Sequence, residues 1–217
     1  MGKYKVAVFD VDGTLLDTKE GVLESVQYTI EKFGLQRLSV EQLETFIGPP
    51  IQNSFARYYK LPEIEIQKLA NTFRERYKMV DLLKAKPYDG IYQVFEMLKK
   101  KDIELAVATY KRQDYAIKIL RHFGFDKYTD VLYGADNENK LKKKDIIQKC
   151  IADLHVTNNE LAVMVGDSDN DAIGAHELGV NFIGVTYGFD FRTKEDVEKF
   201  PNIGVAKYPL EIVNFFE

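Results

Sequence analysis

Two aspartates two positions apart are the residues of this chain with the clearest chemical potential. Asp10 and Asp12 follow the apolar run Val6–Phe9 and precede Gly13, in the segment KVAVFDVDGTLLDT. A short apolar run that ends at a glycine turn predicts a buried strand. Because residues i and i+2 of an extended segment point the same way, both carboxylates can converge on one ion or one substrate. Buried carboxylates are costly unless a cation holds them, so the pair predicts a site for a hard cation and a phosphate.

Three further signals lie downstream, each at the end of a predicted strand or the start of a predicted helix. Thr109 follows an apolar run and offers a hydroxyl that can hydrogen-bond a phosphoryl oxygen. A lysine cluster at 140–144 opens an apolar helical stripe, and one of its ammonium groups can neutralise phosphate. In GDSDND at 166–171, Asp167 stands at a strand end and Asp171 four residues on, while Gly166 permits close approach of the backbone to a ligand.

The elements that must position these residues alternate along most of the chain. Asp89 is expected to cap one of the helices, and Gly124 to end another. The predicted strands cover residues 5–9, 103–108, 130–133, 161–165 and 182–185, and the predicted helices cover 90–101, 112–123, 142–154 and 171–178. This alternation predicts an α/β fold with an open, largely parallel, Rossmann-like sheet.

The interval 17–81 breaks the alternation because it contains no convincing strand. Helical spacing fills 21–33, 51–59 and 63–80, and Ser39 with Gln42 forms a capping box for one more helix. We therefore expect an all-helical cap at 17–81, inserted in a core domain made of 1–16 and 82–217. A cap at this point of the sequence would cover the carboxyl ends of the strands, where open α/β sheets bind ligands.

Composition narrows the class of protein and its partners. The net charge of −4 provides no basic face, so no nucleic-acid partner is expected. Cys150 is the single cysteine, which excludes an intrachain disulfide framework and a cysteine-based zinc site. The sequence shows no signal-peptide pattern and no apolar run of membrane-spanning length, so we expect a cytoplasmic protein without a membrane partner. A monomer or a small homo-oligomer is expected.

The order of the four motifs resembles the haloacid dehalogenase superfamily of phosphohydrolases. The matching residues are DVDGTLLDT at 10–18, Thr109, a lysine of 140–144 and GDSDND at 166–171. The resemblance covers essentially the whole chain, including a helical cap between the first and second motifs. The segments FIGPP at 46–50 and PYDGI at 87–91 look most like the phosphoglycolate phosphatase branch.

The resemblance implies a role for each acidic residue. Asp10 would be the nucleophile that forms an aspartyl-phosphate, and Asp12 the general acid and base. Mg²⁺ would be held by the Asp10 carboxylate, the Asp12 backbone carbonyl and Asp167, with Asp171 assisting directly or through water. The residues themselves leave one alternative open for Asp171, which could serve only as the N-cap of the following helix.

The resemblance also implies which residues bind the phosphoryl group. Thr109 and the motif lysine would hold its oxygens, and the family spacing puts that lysine at Lys143, with Lys140 and Lys142 as rivals. Tyr110 stands where relatives more often carry Ser or Asn, so its backbone amide is the group expected to contact substrate.

These roles together predict a Mg²⁺-dependent phosphatase that hydrolyses a small, phosphoglycolate-like phosphate ester through an aspartyl-phosphate. One alternative is a phosphomutase of the β-phosphoglucomutase type, and another is a catalytically idle module that binds phosphometabolites. A dehalogenase is disfavoured, because Asp12 supplies an acid and a metal site that carbon–halogen displacement does not need.

Overall fold

The chain forms two units, and the sequence of one is inserted within the sequence of the other. The computed structural model describes residues 3–136 and 140–216. The inserted unit is Thr18–Lys86, and the residues on either side of it form the core unit. The inserted unit thus begins one residue after the start expected from the sequence and ends five residues after the expected end at 81.

The helices and strands are numbered in chain order. They are β1 (Val6–Phe9), β2 (Leu16–Asp17), α1 (Lys19–Lys32), α2 (Val40–Glu44), α3 (Ile51–Tyr58), α4 (Glu63–Arg76), β3 (Lys86–Pro87), α5 (Ile91–Lys100), β4 (Glu104–Arg112), α6 (Gln113–His122), β5 (Leu132–Ala135), α7 (Lys143–Asp153), β6 (Ala162–Gly166), α8 (Asp169–Glu177), β7 (Asn181–Val185), α9 (Lys194–Val197) and β8 (Gly204–Ala206). None of the helices in the described part of the chain combines the length and apolarity that a membrane crossing needs.

A parallel sheet forms the centre of the core unit. Over the described residues it has six strands in the order β5-β4-β1-β6-β7-β8, which confirms the predicted α/β class. Phe9 at the end of β1 pairs with Val107 of β4 on one side and Val165 of β6 on the other. Every residue of β1 and β6 is buried, as expected for parallel strands covered on both faces. The carboxyl ends of β1, β4 and β6 therefore meet at one edge of the sheet.

The five predicted strands and four predicted helices of the core are confirmed, with shifts at their ends. The largest shift is in β4, which continues to Arg112 instead of ending at 108, through a register irregularity against β5 between Ala108 and Arg112. The prediction that Asp89 caps α5 was wrong. The N-cap is Gly90, in a left-handed conformation (φ 89°) without a side-chain cap bond. The short strand β8 was not predicted.

The inserted unit consists mainly of helices, as its sequence pattern predicted. The capping box of α2 is confirmed, since Gln42 N–H donates to Ser39 Oγ at 3.3 Å and Ser39 N–H donates to Gln42 Oε1 at 2.9 Å. The helix expected over 63–80 is α-helical only to Arg76, and a π-helical turn at Tyr77–Asp81 follows it.

A buried carboxylate ties the π-helical turn to the rest of the inserted unit. The Asp81 side chain is fully buried and accepts hydrogen bonds from Ser25 Oγ at 2.9 Å and Arg76 Nε at 2.7 Å. Lys84 Nζ lies 2.9 Å from the other carboxylate oxygen. Burial by itself raises the pKa of Asp81, but hydrogen bonds from Arg76, Lys84 and Ser25 hold the pKa below its ordinary value. The ionised form of Asp81 therefore stabilises this unit.

Replacing Asp81 by Asn should lower the free energy of unfolding by about 2 kcal/mol, because hydrogen bonds to a charged acceptor are lost. Since the folded-state pKa is lowered, this contribution is present above the unfolded-state pKa and is lost as the pH falls through the folded value. Urea unfolding of both proteins at pH 7 and pH 3 measures the difference. Glu24→Gln, which removes a half-exposed partner of Lys84, is the control and should cost less than about 1 kcal/mol. Equal losses from the two variants would contradict this account.

Candidate active site

The first strand carries Asp10 to the edge of the sheet. Asp10 N–H donates to the Val165 carbonyl at 3.0 Å, so the ladder between β1 and β6 continues one residue past Phe9. The chain then turns at Gly13, whose φ of 82° lies in the left-handed region that glycine tolerates. The Asp10 side chain is 9% exposed and that of Asp12 is 13% exposed. Both predicted catalytic acids are thus at the carboxyl end of β1, Asp10 buried and Asp12 nearly so.

One lysine of the predicted cluster lies beside Asp10. Lys143 begins α7, and its buried Nζ lies 2.6 Å from Asp10 Oδ1 and 2.7 Å from Asp171 Oδ1. Lys140 and Lys142 are exposed. The structure therefore brings Lys143, the position chosen from the family spacing, to the acidic residues, and does not bring its two rivals there.

Three buried carboxylates meet at this edge of the sheet. Among the described residues, Asp10, Asp167 and Asp171 each offer an oxygen within 4.8 Å of the others. Asp167 Oδ2 accepts a hydrogen bond from Phe189 N–H at 2.6 Å. Asp171 Oδ2 accepts one from Ser168 Oγ at 2.7 Å, within the capping box that begins α8. Asp171 is therefore the third residue of α8 and not its N-cap, which is Ser168.

Burial and mutual repulsion act strongly on this cluster. Desolvation, together with the charges of Asp171 and Asp12, raises the pKa of Asp10 to about 7 despite the opposing ammonium of Lys143. Desolvation and the charge of Asp10 raise the pKa of Asp167 well above its ordinary value. Burial lowers the pKa of Lys143, but Asp10 and Asp171 outweigh it and hold the pKa above its usual range. In the fully ionised form, the carboxylates of Asp10, Asp167 and Asp171 would carry more negative charge than the single Lys143 ammonium neutralises.

The donor set fits a divalent cation that prefers oxygen ligands. Asp171 Oδ1 is buried and accepts no hydrogen bond of good geometry, although Lys143 Nζ is 2.7 Å away. This oxygen, with those of Asp10 and Asp167, presents hard anionic ligands of the kind that Mg²⁺ takes. The raised pKa values of Asp10 and Asp167 describe the cluster without such an ion, and a bound cation would favour their ionised forms.

Glycines allow the backbone to approach the carboxylates. A Cβ atom on Gly13 would lie 2.0 Å from Asp167 Oδ2, and a Cβ on Gly166 would lie 2.3 Å from Asp171 Cγ. Gly188 has the same role, since its Cβ would lie 2.4 Å from Asp167 Oδ2 and 2.3 Å from the Gly13 carbonyl oxygen. Gly188 was not among the residues predicted to belong to the site. A glycine in the loop just after the strand β7 was the signal that could have identified it.

The phosphate-binding candidates on β4 lie at the same edge of the sheet. The Thr109 side chain is buried, and its Oγ1 accepts a hydrogen bond from Lys111 N–H at 3.1 Å, which leaves the hydroxyl hydrogen to donate. The Tyr110 hydroxyl accepts a hydrogen bond from Lys143 N–H at 2.8 Å, and its ring centroid lies 5.6 Å from Lys143 Nζ. The side chain of Tyr110 therefore packs against Lys143, while a contact between its amide and substrate stays a prediction.

A second lysine, to which the sequence motifs assign no role, reaches the acidic residues. Lys111 Nζ lies 3.0 Å from Asp12 Oδ1, and the Lys111 side chain is only 6% exposed. Strand-end lysines are ordinarily solvated, so its position in the sequence did not indicate this contact. The Asp12 carboxylate is outside the trio formed by Asp10, Asp167 and Asp171, and a metal contact through the Asp12 backbone carbonyl stays a prediction.

These features define the class of the protein as an α/β enzyme with an acidic, phosphate-compatible site at the carboxyl edge of a parallel sheet. A sequence model of the haloacid dehalogenase-like hydrolases matches residues 7–185. The chain belongs to this family.

Individual relatives agree with the assignment. The chain is 35% identical over 187 residues to the 5'-nucleotidase of Pseudomonas aeruginosa, covering 86% of this chain and 85% of that protein. It is 32% identical over 195 residues to the phosphoglycolate phosphatase of Agrobacterium fabrum, covering 85% and 81%. The crystal structure of a predicted phosphatase from Clostridium acetobutylicum superimposes with a TM-score of 0.88 at 33% identity, covering 97% of each chain. The protein is a phosphatase, a phosphoric monoester hydrolase.

Replacing Gly188 by Ala should weaken divalent-cation binding as well as turnover, because the added methyl group must displace Asp167 or the Gly13 backbone. We expect a fall of about tenfold or more in kcat/KM for p-nitrophenyl phosphate and a higher Mg²⁺ concentration for half-maximal rate. Steady-state assays over a Mg²⁺ series measure both.

The control for this experiment is Gly179→Ala. Its Cβ would meet no atom within 4 Å, although φ is 68°. This variant should lose about 1 kcal/mol of stability and keep its Mg²⁺ dependence. An unchanged Mg²⁺ requirement in Gly188→Ala would show that Gly188 does not support Asp167.

Proposed function

We propose that the protein is a Mg²⁺-dependent phosphatase that hydrolyses a small phosphorylated metabolite through an aspartyl-phosphate on Asp10. The observation that supports this most is the cluster around Asp10, where Lys143 Nζ lies 2.6 Å from Oδ1 and the carboxylates of Asp167 and Asp171 lie close by. A buried, oriented carboxylate beside a cation site is what nucleophilic attack on a phosphate ester needs.

The reaction proceeds in two displacements. Lys143 holds Asp10 Oδ1, which leaves Oδ2 to attack phosphorus. As the Oδ2–P bond forms, the bond from phosphorus to the ester oxygen breaks, and Asp12 gives its proton to that leaving oxygen. In the second step Asp12 takes a proton from a water molecule, whose oxygen attacks phosphorus and releases Asp10 and inorganic phosphate.

The residues expected to hold Mg²⁺ are Asp10, Asp167 and Asp171 through their carboxylates, and Asp12 through its backbone carbonyl. When bound, the cation neutralises the charge on the phosphoryl group. Phe189 N–H, which donates to Asp167 Oδ2 at 2.6 Å, fixes the orientation of that ligand.

The remaining residues of the site orient the phosphoryl oxygens. The Thr109 hydroxyl, the Tyr110 amide and the Lys143 ammonium are the donors that we assign to this task. Tyr110 positions Lys143 in two ways: its hydroxyl accepts a hydrogen bond from the Lys143 N–H, and its ring packs against the Lys143 ammonium. Each preorganised donor of this kind is typically worth about 3–4 kcal/mol of the activation barrier.

Phosphoglycolate is the first substrate to test. The segments FIGPP at 46–50 and PYDGI at 87–91 resemble the phosphoglycolate phosphatase branch, and one relative carries that name. Another relative is named a 5'-nucleotidase, so a nucleoside monophosphate belongs in the same panel. Release of free phosphate distinguishes a phosphatase from a phosphomutase, which would return the phosphoryl group to a sugar.

Asp10→Asn should abolish turnover, with a fall of at least about 10³-fold in kcat, because the amide cannot form the aspartyl-phosphate. Phosphate release from p-nitrophenyl phosphate and from phosphoglycolate, with Mg²⁺ and with EDTA, measures this effect and the metal requirement together. Asp169→Asn is the matched control, because Asp169 is an exposed aspartate close in sequence to the metal candidates. It should keep wild-type turnover.

Two results would contradict the proposal. One is near-wild-type turnover by Asp10→Asn. The other is full activity of the wild-type protein after prolonged treatment with EDTA.

A further inference from the structure

The proposed reaction gives no task to the side chain of Lys111. This lysine lies near the end of β4, two residues after Thr109. Its Nζ is 3.0 Å from Asp12 Oδ1, and its side chain is 6% exposed. A nearly buried ammonium at the acid of a phosphatase site is costly to desolvate, so its placement calls for a physical reason.

The backbone around Lys111 fixes its position on both sides. Its own N–H donates to Thr109 Oγ1 at 3.1 Å, so the lysine is attached to a phosphate-binding candidate. Its carbonyl oxygen faces β5 so closely that a Cβ on Gly134 would lie 2.4 Å away. The Gln113 side chain secures the same corner, with Nε2 donating to the Leu132 carbonyl at 3.0 Å and Oε1 accepting from Gly134 N–H. The contacts at the irregular end of β4 therefore fix the backbone of Lys111 next to that of Thr109.

The position of Asp12 places Lys111 near the leaving group. A general acid must come within about 2.6–3.2 Å of the oxygen that it protonates. Lys111 Nζ is 3.0 Å from Asp12 Oδ1, so proton transfer through Oδ1 places the ammonium within roughly 6 Å of the leaving oxygen in the reacting complex. An anionic group one or two bonds from that oxygen is within reach of the ammonium, and the phosphoryl group is served separately by Lys143.

We propose that Lys111 is a specificity-determining residue that selects phosphate esters whose leaving group carries an anionic group next to the ester oxygen. The inference rests on the proposed function, since it takes Asp12 as the acid. A lysine ammonium has three N–H donors, so it can keep its contact with Asp12 and bind a substrate carboxylate or second phosphoryl group as well. A neutral leaving group gives no such contact, so discrimination between the two kinds of ester depends on Lys111.

The test compares two substrates that differ only in charge. Phosphoglycolate carries a carboxylate next to the ester carbon, and phosphoglycolamide carries an uncharged carboxamide there. The measured quantity is the ratio of their kcat/KM values in the wild-type protein, Lys111→Met, Lys111→Arg and the control Lys101→Met, which makes the same change at an exposed position.

The wild-type protein should prefer phosphoglycolate, and Lys111→Met should reduce that preference about tenfold or more, as expected for loss of a charge-assisted hydrogen bond. Lys111→Arg should keep most of the preference, and Lys101→Met should keep all of it. Inorganic pyrophosphate is a third substrate. If Lys111→Met loses as much kcat/KM on pyrophosphate as on phosphoglycolate, the selected leaving groups include those that carry a second phosphoryl group. A loss confined to phosphoglycolate limits them to leaving groups that carry a carboxylate.

Several results would overturn the inference. Equal losses on phosphoglycolate and phosphoglycolamide would mean that Lys111 only orients Asp12. The inference would also be overturned if the wild-type protein showed no preference for phosphoglycolate over phosphoglycolamide. If circular dichroism shows that Lys111→Met does not fold, Lys111→Gln replaces it, and an unchanged ratio in Lys111→Gln would refute the selection. Failure of the proposed function is seen separately, as absence of Mg²⁺-dependent phosphate release by the wild-type protein.

Discussion

The repulsion among three buried carboxylates is the constraint on which the rest of the site depends. Oxygens of Asp10, Asp167 and Asp171 lie within 4.8 Å of one another at the carboxyl edge of the sheet. Buried carboxylates have lost the water that stabilises their charged form, and this desolvation raises the pKa values of Asp10 and Asp167. Lys143 compensates part of this charge through its contacts with Asp10 and Asp171. A divalent cation is the simplest group that would compensate the remainder while leaving Asp10 able to react.

The parallel sheet explains how residues far apart in the sequence form this cluster. β1 and β6 are neighbours in register, with Phe9 paired to Val165, so the residues that follow these two lie side by side at the carboxyl edge of the sheet. Asp10 follows Phe9, and Asp167 comes directly after Gly166, the last residue of β6. Lys143 arrives on the first turn of α7, and its backbone N–H is held by the Tyr110 hydroxyl from β4. Each residue is thus positioned by an element end, where the backbone is free to change direction.

Much of this arrangement could be predicted from the sequence, because the chemistry lies at the ends of strands that are easily recognised. Strongly apolar runs before Asp10 and Asp167 identified β1 and β6, and the alternation of elements identified the parallel sheet. The rule that carboxyl ends share one edge then brought these aspartates together. The lysine could be narrowed to Lys143 only by analogy with the family, since spacing alone did not separate it from Lys140 and Lys142.

Other features depend on tertiary geometry and had no local signal. The contact between Lys111 and Asp12 requires β4 to continue past Thr109 through its register irregularity against β5, which a strand pattern does not reveal. Gly188 is needed because another segment comes within van der Waals range of it, and a sequence pattern carries no such distance. Asp89 had the right residue type for an N-cap, but the left-handed conformation of Gly90 begins α5 without it.

We propose that Asp10, Asp167 and Asp171 together bind one divalent cation at the nucleophile, and the proposed reaction depends on this ion. The most direct measurement is a crystal structure of the wild-type protein with Mn²⁺ in place of Mg²⁺, in which anomalous scattering locates the ion. We predict a single anomalous peak at this edge of the sheet, about 2.0–2.2 Å from carboxylate oxygens of Asp10 and Asp167. Absence of a peak there, at a Mn²⁺ concentration that saturates turnover, would contradict the claim.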